Sequence, residues 1–409
     1  MSALFKFINC FSLVQQILIG LILGVIVGFL FPIGVAQSVG IMGDFFVGAL
    51  KAIAPVLIFI LIIAAISNYQ KQDSGGTMQK IILLYLCGTF FAALVAVTIS
   101  FIYPITVPLD VGSAEARGPA DIKEVLHTLF MNMVDNPVNA LVTANYIGLI
   151  SWGALFGFTL RTTNQSTRDL FQDLAKLVTN VIKKIILIAP LGVFGVVSIT
   201  IAETGFEGIK AYLQLVVVLL IAMAVVALIV NPALVYMMIR KNPYPLVFKC
   251  IRESGMTAFF TRSSAANIPV NIELSRKLGV REEIYAVSIP LGATINMAGA
   301  AVTITVFTLA AVNTLGIEVD FLSALLLSVF ATIGACGASG VAGGSLLLIP
   351  LACALFNIDN DIAMQLVLIG YVVGVIQDST ETALNSSTDV LFTAAADFAA
   401  TKKEPNYKN

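Results

Sequence analysis

Asp378, Glu381, Thr382, Asn385 and Asp389 crowd into one short stretch near the C-terminus, between the apolar runs Ile362–Gln377 and Val390–Ala396. At about 100° per residue, positions 378, 382, 385 and 389 share one helix face. Carboxylate, amide and hydroxyl oxygens are hard donors that suit a hard cation, and a buried carboxylate can pair with an amine. An acidic group at mid-bilayer costs about 2.5–3.5 kcal/mol on insertion scales. It is retained mainly where it faces a cavity or a partner. A span that ends near Gln377 would instead leave these acids on the surface, but the apolar Val390–Ala396 that follows argues against that.

A second group lies in Pro290-Leu-Gly-Ala-Thr-Ile-Asn-Met-Ala-Gly299, inside the charge-free run 284–317. Proline removes a backbone donor and glycine loosens the helix, so carbonyls are freed. With Asn296 and the Met297 thioether they could ligate a dehydrated cation. A proline kink with close helix packing accounts for the same residues.

The elements that must hold these groups are membrane elements. The chain has 409 residues, of which 58% are hydrophobic and 11% charged, against about 25% charged in soluble domains. Mean hydropathy is +0.95. Charge-free runs recur at Ile17–Ala36, Ala52–Gln70, Ile81–Leu109, Asn136–Leu160, Ala211–Ile239 and Ile284–Ile317. Each is long enough to cross a hydrocarbon core of about 30 Å. No small-residue cleavage site interrupts the first run, which reads as a retained helix. Gly20, Gly24 and Gly28 fall on one of its faces and admit a close neighbour.

Phe321–Ile358 has no charge but is too long for one crossing, at about 57 Å as a single helix. Its middle, Gly334-Ala-Cys-Gly-Ala-Ser-Gly-Val-Ala-Gly-Gly344, leaves two arms of about 20 Å each. Neither arm crosses alone, so the segment reads as a re-entrant hairpin, tolerated where protein or water surrounds its tip. Thr261-Arg-Ser-Ser-Ala-Ala-Asn-Ile-Pro269 is ambiguous by composition: a membrane hairpin and a cytoplasmic amphipathic turn fit equally.

Lys and Arg orient the chain. Lys6, Lys71 and Lys80, Arg161 and Arg168, Arg240–Arg252, Arg276–Arg281 and Lys402–Lys408 fall in one set of connections; Arg117, Lys123 and Lys210 fall in the other. The first set is cytoplasmic, which places both termini there. Asp110–Asp135 is then an external polar loop holding His127, the sequence's single histidine. Lys51, Lys183 and Lys184 read as span-end residues that snorkel. The cysteines (10, 87, 250, 336, 353) have no paired spacing and read as small hydrophobes, without a disulfide or metal site. A net charge of −1 excludes a general nucleic-acid surface.

Breaks and hairpins meeting at mid-membrane are the pattern of secondary transporters, whereas a channel needs a ring of like groups around a pore. Gly337-Ala-Ser-Gly340 matches the short pattern of intramembrane serine proteases. Its serine would need a base, and His127 is placed in the external loop. The chain therefore reads as no enzyme.

Four segments also carry a family resemblance: Thr-Arg-Ser-Ser at 261–264, Leu-Gly-Ala-Thr-Ile-Asn-Met at 291–297, Gly-Ala-Cys-Gly-Ala-Ser-Gly at 334–340, and Asn385 with Asp389. They resemble the dicarboxylate/amino acid:cation symporters, the glutamate-transporter fold, in order from about 245 to 395 and more loosely over the whole chain. The resemblance implies an all-α integral membrane protein with eight transmembrane helices, two re-entrant helical hairpins and a homotrimeric assembly in a bacterial inner membrane. It implies a scaffold at about 11–70 and 138–202. A transport part spans about 80–105 and 208–397, with hairpins at about 246–277 and 321–358, and slides elevator-fashion. It assigns Asp378 to the substrate ammonium, aided by the backbone of Arg262 and of the second hairpin near Ala338. Ser264, Thr382 and Asn385 would hold the α-carboxylate. One sodium would sit among Asn296, Asn385, Asp389 and the Gly292 carbonyl; a second would use Thr294, Thr332, Ile333 and Met297. No other cofactor is implied.

Departures narrow the substrate. Members that take acidic substrates carry arginine three residues after the aspartate at Asp378, where this chain has Glu381. They also carry Asp and Thr where it has Ala298 and Ala300. Glu381 would repel a substrate carboxylate, and the nearby hydroxyls favour a small polar substrate. Among family members the chain resembles the serine/threonine:sodium symporters of bacteria. Loss of a carboxylate at Ala298 points to fewer coupled sodium ions. An acidic amino acid or C4-dicarboxylate symporter is the alternative within the fold, and a channel-like anion pathway the alternative of another class.

Overall fold

The computed structural model describes residues 11–67, 76–110, 122–338 and 343–402, with side chains from 127 onward in the third segment. Lys6, Cys10, Lys71, Arg117, Ser339, Gly340, Lys403 and Lys408 lie outside the described residues, as does the side chain of Lys123. All regular structure among the described residues is helical.

Helix α1, Leu13–Leu30, opens on a capping box in which Ser12 Oγ accepts from Gln15 N and Gln15 Oε1 accepts from Ser12 N. Pro32 follows its end, so the run Ile17–Ala36 is divided: its last residues open α2, Ile33–Ser67. The glycine face of α1 packs on α8, Ala189–Thr204. A Cβ on Gly24 would stand 2.9 Å from Val197 Cβ, and one on Gly28 would stand 2.7 Å from Ile201 Cβ. In a membrane span such interlocking supplies the association energy that the hydrophobic effect supplies in water.

Helix α3 is Thr77–Ile102. The polar connection after it is partly helical. Helix α4, Ile122–Met133, carries His127 as an exposed residue, so His127 belongs to a helix rather than a loop. The run 136–160 is not one span. It folds as α5, Pro137–Val142, and α6, Tyr146–Leu160, because Ala144 turns with φ 55° and Asn145 caps the second helix. Asp135 pins this corner: its carboxylate accepts from Asn139 Nδ2 and Asn145 Nδ2, and its carbonyl from Trp152 Nε1.

Helix α7, Gln165–Ile186, bends by 49° into α8. Lys183 and Lys184 sit in its last turn, where cations complement the helix dipole. Lys51 is no span-end residue: it lies midway along α2 and pairs with Asp361. Helix α9, Phe206–Val225, passes through a π-turn, Val226–Val230, into α10, Asn231–Ile239.

Next come α11, Tyr244–Cys250, a π-turn, and α12, Met256–Thr261. Arg262 reverses the chain at φ 51° and α13, Ser264–Leu278, returns. Ser254 of the first arm meets Asn267 and Asn271 of the second. This is a helical hairpin. Helix α14, Glu282–Ile295, and α15, Ala298–Thr314, are separated at Asn296–Met297, so the break lies beyond Pro290, which stays inside α14. Helix α16, Phe321–Ala335, is answered by the short return arm Leu346–Phe356, and Gly334 faces Leu351. Helix α18 runs unbroken over Asn360–Thr401 (the return arm's Ile349–Cys353 is α17), so the span does not stop at Gln377.

Six helices are long and apolar enough to cross a membrane among the described residues, or seven if the bent α7–α8 pair is one span. Of their apolar windows, 94% is buried in α14–α15 and 83% in α18, against 17% in α1. The C-terminal helices are therefore the centre of the packing and α1 lies at its exposed rim.

Candidate functional site

Two chain reversals and one helix break converge on α18. The first is the tip of the α12–α13 hairpin. Ser263 caps α13 by accepting from Ala266 N, and Arg262, left-handed just before it, turns its side chain inward. Its Nε donates to Asp378 Oδ2 at 2.6 Å, and its Nη2 to the Gly374 carbonyl at 3.3 Å. The hairpin's contact with Asp378 is thus the guanidinium, whereas the Arg262 N–H donates to the Ala258 carbonyl at 2.8 Å. Below the tip, Asn267 and Asn271 donate to Ser386 Oγ of α18 at 2.8 and 3.0 Å, in a buried set that includes Ser254. Ser264, the first residue of α13, is buried beside this contact.

The second reversal is the α16 hairpin. Gly343 N donates to Asp378 Oδ1 at 3.1 Å. Ala338 N returns instead to the Ala335 carbonyl, so the described N–H that reaches Asp378 comes from Gly343. Gly343 has φ 72°, a conformation that a Cβ would strain. Asp378 therefore joins both hairpins, one oxygen to each.

The third is the break between α14 and α15. Asn296 Nδ2 donates to Thr388 Oγ1 at 2.9 Å and to Asp389 Oδ1 at 2.8 Å. Asn385 Oδ1 accepts from Gly299 N at 2.7 Å, and its amide points to Met297 Sδ at 3.4 Å. Among the described residues, Asn296 Oδ1 and Asp389 Oδ2 are buried without a hydrogen-bond partner. Two orphaned oxygens on residues that are hydrogen-bonded to each other make an uncompensated arrangement that a cation would satisfy. Gly292 leaves the room: a Cβ there would stand 2.5 Å from Asp389 Oδ1 and 2.9 Å from Tyr85 Oη.

The remaining expected residues stand around these contacts. Thr382 Oγ1 donates to the Asp378 carbonyl at 2.7 Å. Thr294 Oγ1 donates to the Leu291 carbonyl and Thr332 Oγ1 to the Ser328 carbonyl, and the Thr332 carbonyl itself accepts from Cys336 N at 3.2 Å. The second hairpin reaches the break where Cys336 Sγ approaches the Ile295 carbonyl at 3.5 Å. Ile333 is half exposed on the outer side of that hairpin.

Glu381 is buried and its partners are neutral: Oε2 accepts from Thr303 Oγ1 at 2.7 Å, Ser345 Oγ at 2.8 Å and Gln377 Nε2 at 2.5 Å. The site thus gathers three carboxylates on α18, Asp378, Glu381 and Asp389, of which Asp378 alone is paired with a guanidinium.

The model of the sodium:dicarboxylate symporter family matches residues 13–398. The chain belongs to that family. It is a sodium-coupled secondary transporter and not an enzyme. The match spans both hairpins and the α14–α15 break.

Several of those contacts had no signal in the residue pattern. Tyr85 Oη donates to the Ser288 and Asp389 carbonyls at 3.2 Å and lies 3.0 Å from Thr393 Oγ1, but a lone tyrosine in an apolar helix looks like core. Gln377 and Thr303 were traceable: an amide ends the apolar stretch before Asp378, and a threonine opens the Thr303, Thr305, Thr308 series in a wholly buried helix.

Proposed function

We propose that this symporter imports small neutral amino acids, L-serine and L-threonine, with sodium. In this reading Asp378 binds the substrate ammonium, sharing its carboxylate with Arg262. Thr382, Asn385 and Ser264 hold the α-carboxylate. One sodium is ligated by Asn296, Asp389, Asn385 and Gly292. A second is ligated by backbone oxygens of Thr294, Thr332 and Ile333 with Met297. With Ala298 in place of a carboxylate, fewer sodium ions move than in members that carry one.

The observation that carries the substrate assignment is Glu381, a buried carboxylate held by neutral donors three residues from Asp378. When Glu381 is ionised, a substrate carboxylate about 4 Å away would meet about 4 kcal/mol of repulsion at an effective dielectric of 20, about a thousandfold in affinity. The excess of carboxylates over guanidinium favours a zwitterion arriving with monovalent cations over a dianion.

The same reading has eight spans and two re-entrant hairpins, a scaffold and a sliding transport part with the second hairpin as gate, and a homotrimer. It places the chain in a bacterial inner membrane with cytoplasmic termini. A substrate panel in proteoliposomes, with and without a sodium gradient, tests it: sodium-dependent serine uptake resisted by excess aspartate is expected, and serine uptake indifferent to sodium overturns the coupling. The family's description keeps a second reading, a dicarboxylate or acidic amino acid symporter, and uptake of succinate or aspartate in preference to serine would establish that one instead.

A further inference from the structure

Away from Asp378, two adjoining cavities open along α9. The inner one, about 240 Å³, lies between α1 and α8 on one side and α9 and α18 on the other. Val25, Val197, Val216, Val372 and Ile376 stand in its walls. The one polar tip there, Tyr212 Oη, is engaged with Thr200 Oγ1 at 3.4 Å. The outer cavity, about 430 Å³, shares Ile209 and Leu213 with the first, and Tyr103, Lys210 and Gln214 line it. Gln214 Nε2 donates to Tyr103 Oη at 3.4 Å, and Lys210 pairs with Glu207 at 3.2 Å as an exposed neighbour on the same helix.

Water does not suit the inner cavity. An apolar void of about 150 Å³ stays dry and takes benzene, and the walls here are aliphatic apart from the already engaged Tyr212 hydroxyl, so a water would find too few partners. Its walls are membrane-crossing helices, so the bilayer supplies the occupant. An apolar chain gains no hydrophobic energy by moving from lipid into such a slot. Retention must come from packing and from the mouth. The mouth offers an ammonium, an amide and a phenol hydroxyl, which are donors matched to a phosphate. The surface pair with Glu207 is weak enough to yield to one.

We propose that a membrane phospholipid occupies the two cavities, with an acyl chain in the inner one and its phosphate at Lys210, Gln214 and Tyr103. The inner cavity is bounded by helices of the scaffold and of the sliding part, so, resting on that reading, the chain stands in the path of the movement and lipid type sets turnover. Ile376 lies two residues before Asp378 on the same helix, so the chain also abuts the segment that bears the site.

The test reads binding directly and does not depend on transport. Purified full-length protein in nanodiscs is irradiated with diazirine-bearing phosphatidylglycerol and the label is mapped by peptide mass spectrometry. Label on residues 209–216 and 372–376 is expected. Lys210→Glu, a surface change that leaves the helices intact, should reduce it about fivefold, the effect of one juxtamembrane lysine. Val216→Trp should remove it from 372–376. Label confined to lipid-facing residues such as Leu191 and Ile221 overturns the proposal, as does label unchanged in both variants. A diazirine diacylglycerol that labels 372–376 as strongly as the phospholipid overturns the phosphate assignment.

Discussion

Replacing Asp378 by asparagine separates folding from binding. The Asp378 side chain is 3% exposed and that of Arg262 15%, so the pair stands in a low-dielectric setting. Asparagine keeps an oxygen for Gly343 N but gives Arg262 no charge. Breaking such a pair costs about 3–5 kcal/mol, because the remaining charge is left buried. For the substrate, the loss is one charge-assisted hydrogen bond, about 1.5–3 kcal/mol, or about 10- to 150-fold in affinity. Asp378→Asn should therefore lower both thermal stability and sodium-driven uptake. Asp378→Asn/Arg262→Met removes the orphaned guanidinium and should recover most of the stability but none of the uptake. Melting in detergent and uptake in proteoliposomes are measured on the same preparations. Uptake by the single variant at wild-type levels, or recovery of both properties in the double variant, would refute the assignment of Asp378 as the ammonium partner.

Other substitutions test neighbouring contacts. Gly292→Ala pushes a methyl group against Asp389 and should raise the sodium concentration for half-maximal uptake about tenfold or more, a shift of ~1.4 kcal/mol; an unchanged sodium curve would place the cation elsewhere. Glu381→Arg should admit aspartate or glutamate weakly while lowering serine uptake, and a complete lack of acidic uptake would count against the selectivity argument. Hydrogen bonds from Asn145 and Asn139 hold the Asp135 carboxyl below the usual carboxylate range. Its folded value is thus lower than its unfolded one, so its stabilising effect is complete above about pH 4 and fades as pH falls through the folded value. The melting-temperature gap between wild type and Asp135→Asn should close on acidification; a gap that widens contradicts this sign.

Legibility followed the range of the interactions. The α16 hairpin was readable because arm length against bilayer thickness is a local quantity. The α12–α13 hairpin was not readable from composition and rested on the resemblance, since Arg262 and Ser263 fit a surface turn until Asp378, far away in sequence, supplies the guanidinium's partner. Periodicity aligned Asp378, Thr382, Asn385 and Asp389, but it could not show that Asn296 faces Asp389 or that Glu381 meets Thr303 and Ser345. Those pairings depend on how α14, α15 and the hairpin pack. The misreadings at 136–160 and at Ile17–Ala36 share a cause: hydropathy sums over a window and does not register one turn residue, Ala144 in the first and Pro32 in the second.

The glycine face of α1 bears on how the protein is made. Its partner, α8, is translated only after α2–α7. At about 5–20 residues per second, α1 waits roughly 8–30 s for it. Over that interval its notches at Gly20, Gly24 and Gly28 meet only lipid, and the helix has nothing to lock against. A nascent chain halted before residue 189 would hold α1 as a separate, freely rotating span, so the N-terminal half acquires its shape late, when a bend downstream brings Pro190, Val197 and Ile201 into the notches.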